Sequence, residues 1–259
     1  MYKKIERINV LGVPISNCSL NELLNAIEHC ITTKSKVIIL SSNAHLLNFA
    51  YQYKWLRKFI NQAEIVFIDG VGVRVGAWLL GHKTGRRLTY ADFFWDLAEK
   101  VNSHGFTFFF LGARPGIAEK AAAKLIIQFP NLKFTGIYHG YFDKNIGSKE
   151  NISVIRRINT AKPNILIVGF GMPLQERWLM ENIDQIEANV TMTAGGFFDI
   201  LSGELRRGPR FLTDNGFEWL ARLFIEPRRV WKRYIIGIPL FLWRILKQKF
   251  AKKERLPEK

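Results

Sequence analysis

Five short, mostly apolar runs constrain this chain more than any other feature, because each stops abruptly at small or polar residues. Residues 37–40 run into Ser41-Ser42-Asn43, 65–68 into Asp69-Gly70, 106–111 into Gly112, 164–168 into Gly169, and 190–193 into Ala194-Gly195-Gly196. Strands buried on both faces read this way, and the stretches between them carry apolar residues at helical spacing. Ser19 with Glu22 has the form of a capping box and opens a helix with Leu20, Leu23, Leu24, Ile27 and Ile31 on one face. Further helices are expected over 46–60, from Asp69 to about Leu80, over 89–102, and in the Ala-rich segment after Gly116. A small hairpin is expected over 6–16 around Gly12. Strands alternating with helices at this spacing predict an α/β fold, a Rossmann-like, mainly parallel sheet with helices on both faces.

In such a sheet, ligands bind beyond the carboxyl ends of the strands. Asp69 therefore stands either as a catalytic carboxylate or as the cap of the next helix, and both readings are open from this stretch alone. Gly112-Ala113-Arg114-Pro115-Gly116 opens a helix and exposes backbone N–H groups, one way to hold a diphosphate. Gly169-Phe170-Gly171 looks like the start of a dinucleotide fingerprint, but Leu174 stands where a small residue is required and Pro173 falls in the turn, which argues against a nicotinamide cofactor. Gln175 and Glu176 open a helix, where they either bond its free N–H groups or touch a substrate. Asp199 reads as a cap or an ion-pair partner, and His45 as a surface or core histidine outside the catalytic set.

The chain has 259 residues, 48% of them hydrophobic, enough for a sizeable core, and a formal net charge of +16. That charge is lopsided: residues 222–259 hold twelve Lys or Arg against three Glu. A division into an α/β domain over 1–203 and a basic, aromatic appendage over 204–259 follows. The apolar run 235–243 is too short to cross a bilayer. It is expected to lie in the interface, with Trp231, Ile235, Leu242 and Trp243 inserted and basic side chains on anionic headgroups, the alternative being a helix packed on the core. Two cysteines without metal-ligand spacing fit a reducing compartment, and the N-terminus shows no signal peptide. No DxD sequence occurs and the five histidines are scattered, so no metal site is expected. A non-enzymatic protein that binds nucleic acid or membrane through its tail is the competing class, but it would need no row of polar groups along one sheet edge.

Taken in order, Ser41-x-Asn43, Ile68-Asp69-Gly70-x-Gly72, Arg87 followed by Asp92, Leu111-Gly112-x-x-Pro115-Gly116, Gly169-x-Gly171-x-Pro173-x-Gln175-Glu176, Gly195-Gly196-x-x-Asp199-x-x-x-Gly203, Arg207-x-Pro209, Glu218-Trp219-x-x-Arg222 and Glu226-Pro227-x-Arg229 resemble the bacterial WecG/TagA/CpsF glycosyltransferases from about Val10 to Tyr234. The resemblance implies an inverting, metal-independent enzyme without cofactor. Such an enzyme moves a sugar from a UDP-sugar to a polyprenyl-diphosphate-linked sugar at the inner face of the cytoplasmic membrane, in cell-surface polysaccharide or teichoic acid synthesis. N-acetylmannosamine is the leading donor sugar, with glucose or an aminouronic acid as alternatives. By the same resemblance Asp69 is the general base, Ser41 replaces the family's threonine with its hydroxyl kept, and Asn43, Arg87 and Gln175 meet the substrates. Arg222 and Arg229 complete the site from the appendage, where Lys232 stands beside Arg233. Gly70, Gly112, Gly116, Gly171, Glu176, Arg207 and Arg233 extend the expected substrate-binding set, with Ser41 and Arg87 beside Asp69 in the catalytic set. The expected partners are the two substrates and an anionic membrane surface, without nucleic acid. An exposed apolar appendage also favours a homo-oligomer away from membranes.

Overall fold

A computed structural model of the protein describes residues 5–253. The first four residues of the expected α/β domain and the last six of the expected appendage lie outside the described residues. The chain opens with β1 (Arg7–Val10) and β2 (Val13–Ser16), an antiparallel hairpin whose turn residues Leu11 and Gly12 both have positive φ, as the tight primed hairpin turns require. After α1 (Leu20–Thr32), β3 (Val37–Ser42), α2 (Ala44–Gln52), α3 (Lys54–Ile60), β4 (Ile65–Ile68), α4 (Val71–Leu79) and α5 (Tyr90–Ser103) come β5 (Thr107–Gly112), α6 (Ile117–Gln128), β6 (Lys133–Tyr138), α7 (Lys149–Ala161), β7 (Ile165–Gly169), α8 (Leu174–Asn182), β8 (Val190–Thr193) and α9 (Phe197–Ser202). The sheet order is β1-β2-β4-β3-β8-β7-β5-β6, parallel throughout except for the hairpin.

The two-residue period of the strands feeds two cores. Ile65 and Phe67 of β4, Phe108 and Phe110 of β5 and Ile165 and Ile167 of β7 pack with α1, α5, α6 and α9. Their neighbours Val66, Ile68, Phe109, Leu111, Leu166 and Val168 pack on the other face with α2, α3, α7 and α8. The doubly wound expectation therefore holds, and the capping box forms, Ser19 and Glu22 each bonding the other's backbone N–H.

Three details differ from the sequence reading. β3 does not stop at Leu40 but continues through Ser41 and Ser42, because Ser42 Oγ donates to the Phe67 carbonyl and both residues stay in register with β4. The single helix expected over 46–60 is two helices, broken at Tyr53, whose φ and ψ of −108° and 108° are extended. β6 and α7 were not anticipated. β6 is an edge strand of mixed polarity with Gly136 inside it, so it carries no apolar run to announce it.

The C-terminal segment forms α10 (Arg210–Asp214), α11 (Glu218–Ile225), α12 (Pro227–Trp231), a π-helical turn Lys232–Ile236 and α13 (Gly237–Lys253). The expectation that Leu242 inserts in a membrane is corrected: Leu242 packs against the core, beside the fully buried Phe241 and Ile245. Polar contacts fix the same helix. Arg244 Nη1 donates to the carbonyl and to Oδ1 of Asn48, both at 2.9 Å, and Leu11 N donates to Gln248 Oε1 at 2.7 Å. Trp231, Ile235 and Trp243 face outward, exposed by 43%, 56% and 64%. Burial thus claims one face of α13, while Leu240, Trp243, Lys247 and Phe250 stay exposed on the other. Among the described residues no helix is long and apolar enough to cross a membrane.

α13 approaches α4 at Gly76, where a Cβ would lie 2.9 Å from Phe241 Cζ. A branched side chain has no room against a ring held in a packed core. Gly76→Val is expected to cost about 1–3 kcal/mol by overpacking, read as a thermal midpoint lower by roughly 2–4 °C per kcal/mol.

Candidate active site

The carboxyl ends of β3, β4, β7 and β8 meet the C-terminal segment. Asp69 N and Gly70 N both donate to the Ser42 carbonyl, at 2.9 and 3.2 Å, so the end of β4 is pinned to β3. A Cβ on Gly70 would lie 3.0 Å from Asn43 Cβ, which is why the residue after Asp69 is glycine. Leu88 N donates to the Ile68 carbonyl at 2.7 Å, bringing the 81–89 loop over the strand end with Arg87 beside Asp69. Asn43 caps α2, its Oδ1 accepting from His45 N and Leu46 N at 3.1 Å each.

Around Asp69 lies a cavity of about 120 Å³ lined by Asn43, His45, Gly70, Arg87, Thr89, Glu218, Trp219, Arg222, Arg233 and Tyr234 among others. Three guanidiniums, two of them from the C-terminal segment, thus share a small space with two carboxylates. Arg87 Nη1 donates to Glu218 Oε2 at 3.1 Å and its Nη2 to the Thr213 carbonyl. Arg222 Nε lies 3.4 Å from Glu226 Oε2, and Arg229 Nη1 lies 2.8 Å from Glu226 Oε1. Asp69 is different: no hydrogen bond or ion pair holds its carboxylate among the described residues. Burial raises its proton affinity first and the Glu218 carboxylate adds to this, against Arg233, Arg87 and Arg222, so its pKa is pushed up to about 7. Burial and the nearby Arg233 push His45 down to about 4, leaving a neutral imidazole. Arg233 is itself held below the usual guanidinium range, chiefly by burial.

A second cavity, of about 920 Å³, opens beside the first over β5, β7 and β8. Ala113, Arg114, Gly140, Tyr141, Phe142, Lys144, Phe170, Gly171, Gly195, Gly196, Asp199, Glu226 and Arg229 are in its wall. Arg222 and Glu226 form the partition: Arg222 lines the small cavity and its Nη2 stands 3.4 Å from where a Gly196 Cβ would be, while Glu226 and Gly196 line the large one. Lys144 Nζ sits 4.4 and 4.7 Å from the Phe142 and Phe170 ring centres, and burial holds its pKa below the usual range.

The structure brings Asn43, Asp69, Gly70, Arg87, Arg222 and Arg233 together in the small cavity, and Gly171 and Arg229 in the large one. The other expected site residues line neither. Ser41 is buried in β3 opposite Phe67. Gly112 permits the close approach of β5 to β7, since a Cβ there would lie 2.4 Å from the Gly169 carbonyl oxygen. Gly116 is the left-handed residue before α6. Gln175 is fully buried, its Oε1 accepting from Gly171 N at 3.2 Å and Gly195 N at 3.1 Å, so it ties two walls of the large cavity together from beneath. Glu176 accepts from Gln175 Nε2 at 2.8 Å, and burial raises its pKa to about 7. Arg207 ion-pairs with Asp92 at 2.5 Å and lies 3.6 Å from Glu218.

Among the lining residues outside the expected site set are His45, Glu218 and Trp219, which the sequence reading named without a site role, and Tyr141 and Lys144, which it passed over. A signal existed for Tyr141 and Lys144: had β6 been recognised, the 139–144 segment would have read as one more strand-end loop. Among the described residues no three His, Cys, Asp or Glu side chains are grouped as a metal site.

The profile of the Glycosyl transferase WecG/TagA/CpsF family matches residues 8–255, and the chain belongs to that family. It is similar to the N-acetylglucosaminyldiphosphoundecaprenol N-acetyl-beta-D-mannosaminyltransferase of Staphylococcus aureus strain NCTC 8325 / PS 47, with 28% identity over 94% of this chain and 93% of the relative. The protein of the same name from strain MW2 is 27% identical over the same shares.

Proposed function

We propose that this glycosyltransferase moves N-acetylmannosamine from a UDP-sugar to N-acetylglucosamine carried on a polyprenyl diphosphate, by a single inverting displacement without a metal ion. The observation that carries the mechanism is Asp69, a carboxylate unpaired among the described residues and with its pKa pushed up to about 7, in a cavity with three guanidiniums. The named activity of the relatives supports the choice of sugar and acceptor.

In this reading the large cavity takes the nucleotide. Tyr141, 68% exposed, offers a face for the base, and Lys144 and Arg229 offer cationic donors. The sugar's anomeric carbon lies toward the Arg222 partition. The acceptor hydroxyl enters the small cavity, where Asp69 takes its proton as the new C–O bond forms on the face opposite the departing diphosphate. Negative charge develops on the leaving UDP, and Arg222, Arg229 and Arg233 stabilise it where other transferases use a divalent cation. The 204–259 segment thus completes the site, and its outward Trp231, Ile235 and Trp243 dock on the inner face of the cytoplasmic membrane, where the lipid acceptor resides.

The stereochemistry tests this. The product formed in excess chelator, examined by NMR, is expected to carry the anomeric configuration opposite to the donor's, whereas retention would rule out the single displacement. The pH profile supplies a second expectation. Because the base must be ionised and its pKa is about 7, kcat/KM should climb as pH rises through that value and level off above about 8.

A further inference from the structure

The small cavity poses an electrostatic problem. Three guanidiniums beside one carboxylate should draw it into a permanent ion pair, and a carboxylate held that way is a poor base. Yet among the described residues Asp69 has no ion-pair partner, and Arg87, the cation of the first 203 residues that shares its cavity, points elsewhere: Nη1 to Glu218 Oε2 at 3.1 Å, Nη2 to the Thr213 carbonyl. Glu218 is the first residue of α11, three-quarters shielded, and its other near cation is Arg207 at 3.6 Å, which Asp92 also engages.

We propose that Glu218 is a positioning residue for the base: its carboxylate holds Arg87 away from Asp69 and repels Asp69 itself, so that the docked C-terminal segment sets the proton affinity of the catalytic carboxylate as well as supplying cations. This rests on the reading of Asp69 as the base. The charged and titratable groups facing Asp69 come from every side of the cavity. They are His45 from α2, neutral by burial, Arg87 from the 81–89 loop, Tyr90 from α5, Glu218 and Arg222 from α11, and Arg233 from the π-helical turn. Among these groups Glu218 alone opposes ionisation of Asp69 by charge, since Tyr90 is driven well above its usual range by burial and by the Asp69 charge and stays neutral at working pH. Removing the Glu218 charge also frees Arg87 to turn toward Asp69, and both effects act in the same direction.

The test is the titration of Asp69 followed by its ¹³C carboxyl resonance in the full chain, assigned by its absence in Asp69→Asn. In Glu218→Gln the midpoint is expected to fall by about one pH unit or more, as loss of a neighbouring like charge requires, and the acid limb of kcat/KM should fall with it. Glu218→Asp keeps the charge and should keep the midpoint near the wild-type value. Glu218→Ala is the second variant should the glutamine form not fold, with the same downward move expected. A midpoint unchanged in the neutral variants, or moved as far in Glu218→Asp, overturns the inference. An acid limb that persists in the residual activity of Asp69→Asn would instead overturn the reading of Asp69 as the base, and the resonance titration still decides the role of Glu218.

Discussion

Asp69→Asn is expected to lower kcat by about 10²–10⁴, the usual worth of a positioned general base, with little change in binding of UDP. Asparagine is isosteric and cannot accept the acceptor's proton. The loss should therefore fall on the chemical step rather than on the donor's KM. The same substitution should stabilise the fold at alkaline pH. The native carboxyl ionises near 7, whereas an unfolded Asp ionises near ~3.9, so the native state binds its proton more tightly. That contribution is full below the unfolded value and is lost as pH rises through the native one. Asparagine has no proton to lose, so at pH 8 the variant should melt above the wild type, while at pH 4 the two should converge. A gain in stability coupled to loss of turnover is what a residue kept for chemistry against the preference of the fold predicts. A mere helix cap would instead leave both activity and stability nearly unchanged, since asparagine caps a helix as well as aspartate does.

The second large effect is expected at the cations from the C-terminal segment. Arg222→Ala and Arg233→Ala should each cost about 10²–10³ in kcat/KM, the order of one lost preorganised donor to a developing charge. Their pH profiles separate them from a structural defect. Arg233 and Arg222 both favour the ionised form of Asp69, so removing either should move the acid limb of the profile upward, opposite to the effect of removing Glu218. Arg222→Ala should in addition loosen the partition between the two cavities, since it strips Glu226 of one of its two arginine partners. The outcome would be a raised KM for the donor as well as a lower kcat.

The parallel sheet was legible because its central strands are buried on both faces and so read as continuous apolar runs. The residues at their ends were legible for the same reason, as abrupt changes of composition: Asn43, Asp69, Gly70 and Gly171 all lie at such ends. Edge strand β6 is only partly buried and mixes polar with apolar residues, so it shows no such run, and Tyr141 and Lys144 were lost with it. Gln175 illustrates another limit. A helix-opening glutamine at a strand-end loop looks the same in sequence whether it faces a ligand or the loops behind it, and here its amide oxygen collects two glycine N–H groups. Glu218 was quoted only as part of a motif, because its partner Arg87 lies 131 residues away and nothing local marks the pair. The apolar run of the C-terminal helix could not be divided from sequence alone: Phe241 enters the core while Trp243 stays exposed.

The most direct measurement is transfer of labelled sugar from a panel of UDP-sugars to a synthetic lipid-diphosphate-N-acetylglucosamine acceptor, at pH 8 with chelator present, by wild type and Asp69→Asn in parallel. Product from UDP-N-acetylmannosamine that withstands chelation and disappears in the variant is the predicted result. Equal turnover by the variant, or turnover that stops with the chelator, would contradict the account of the site.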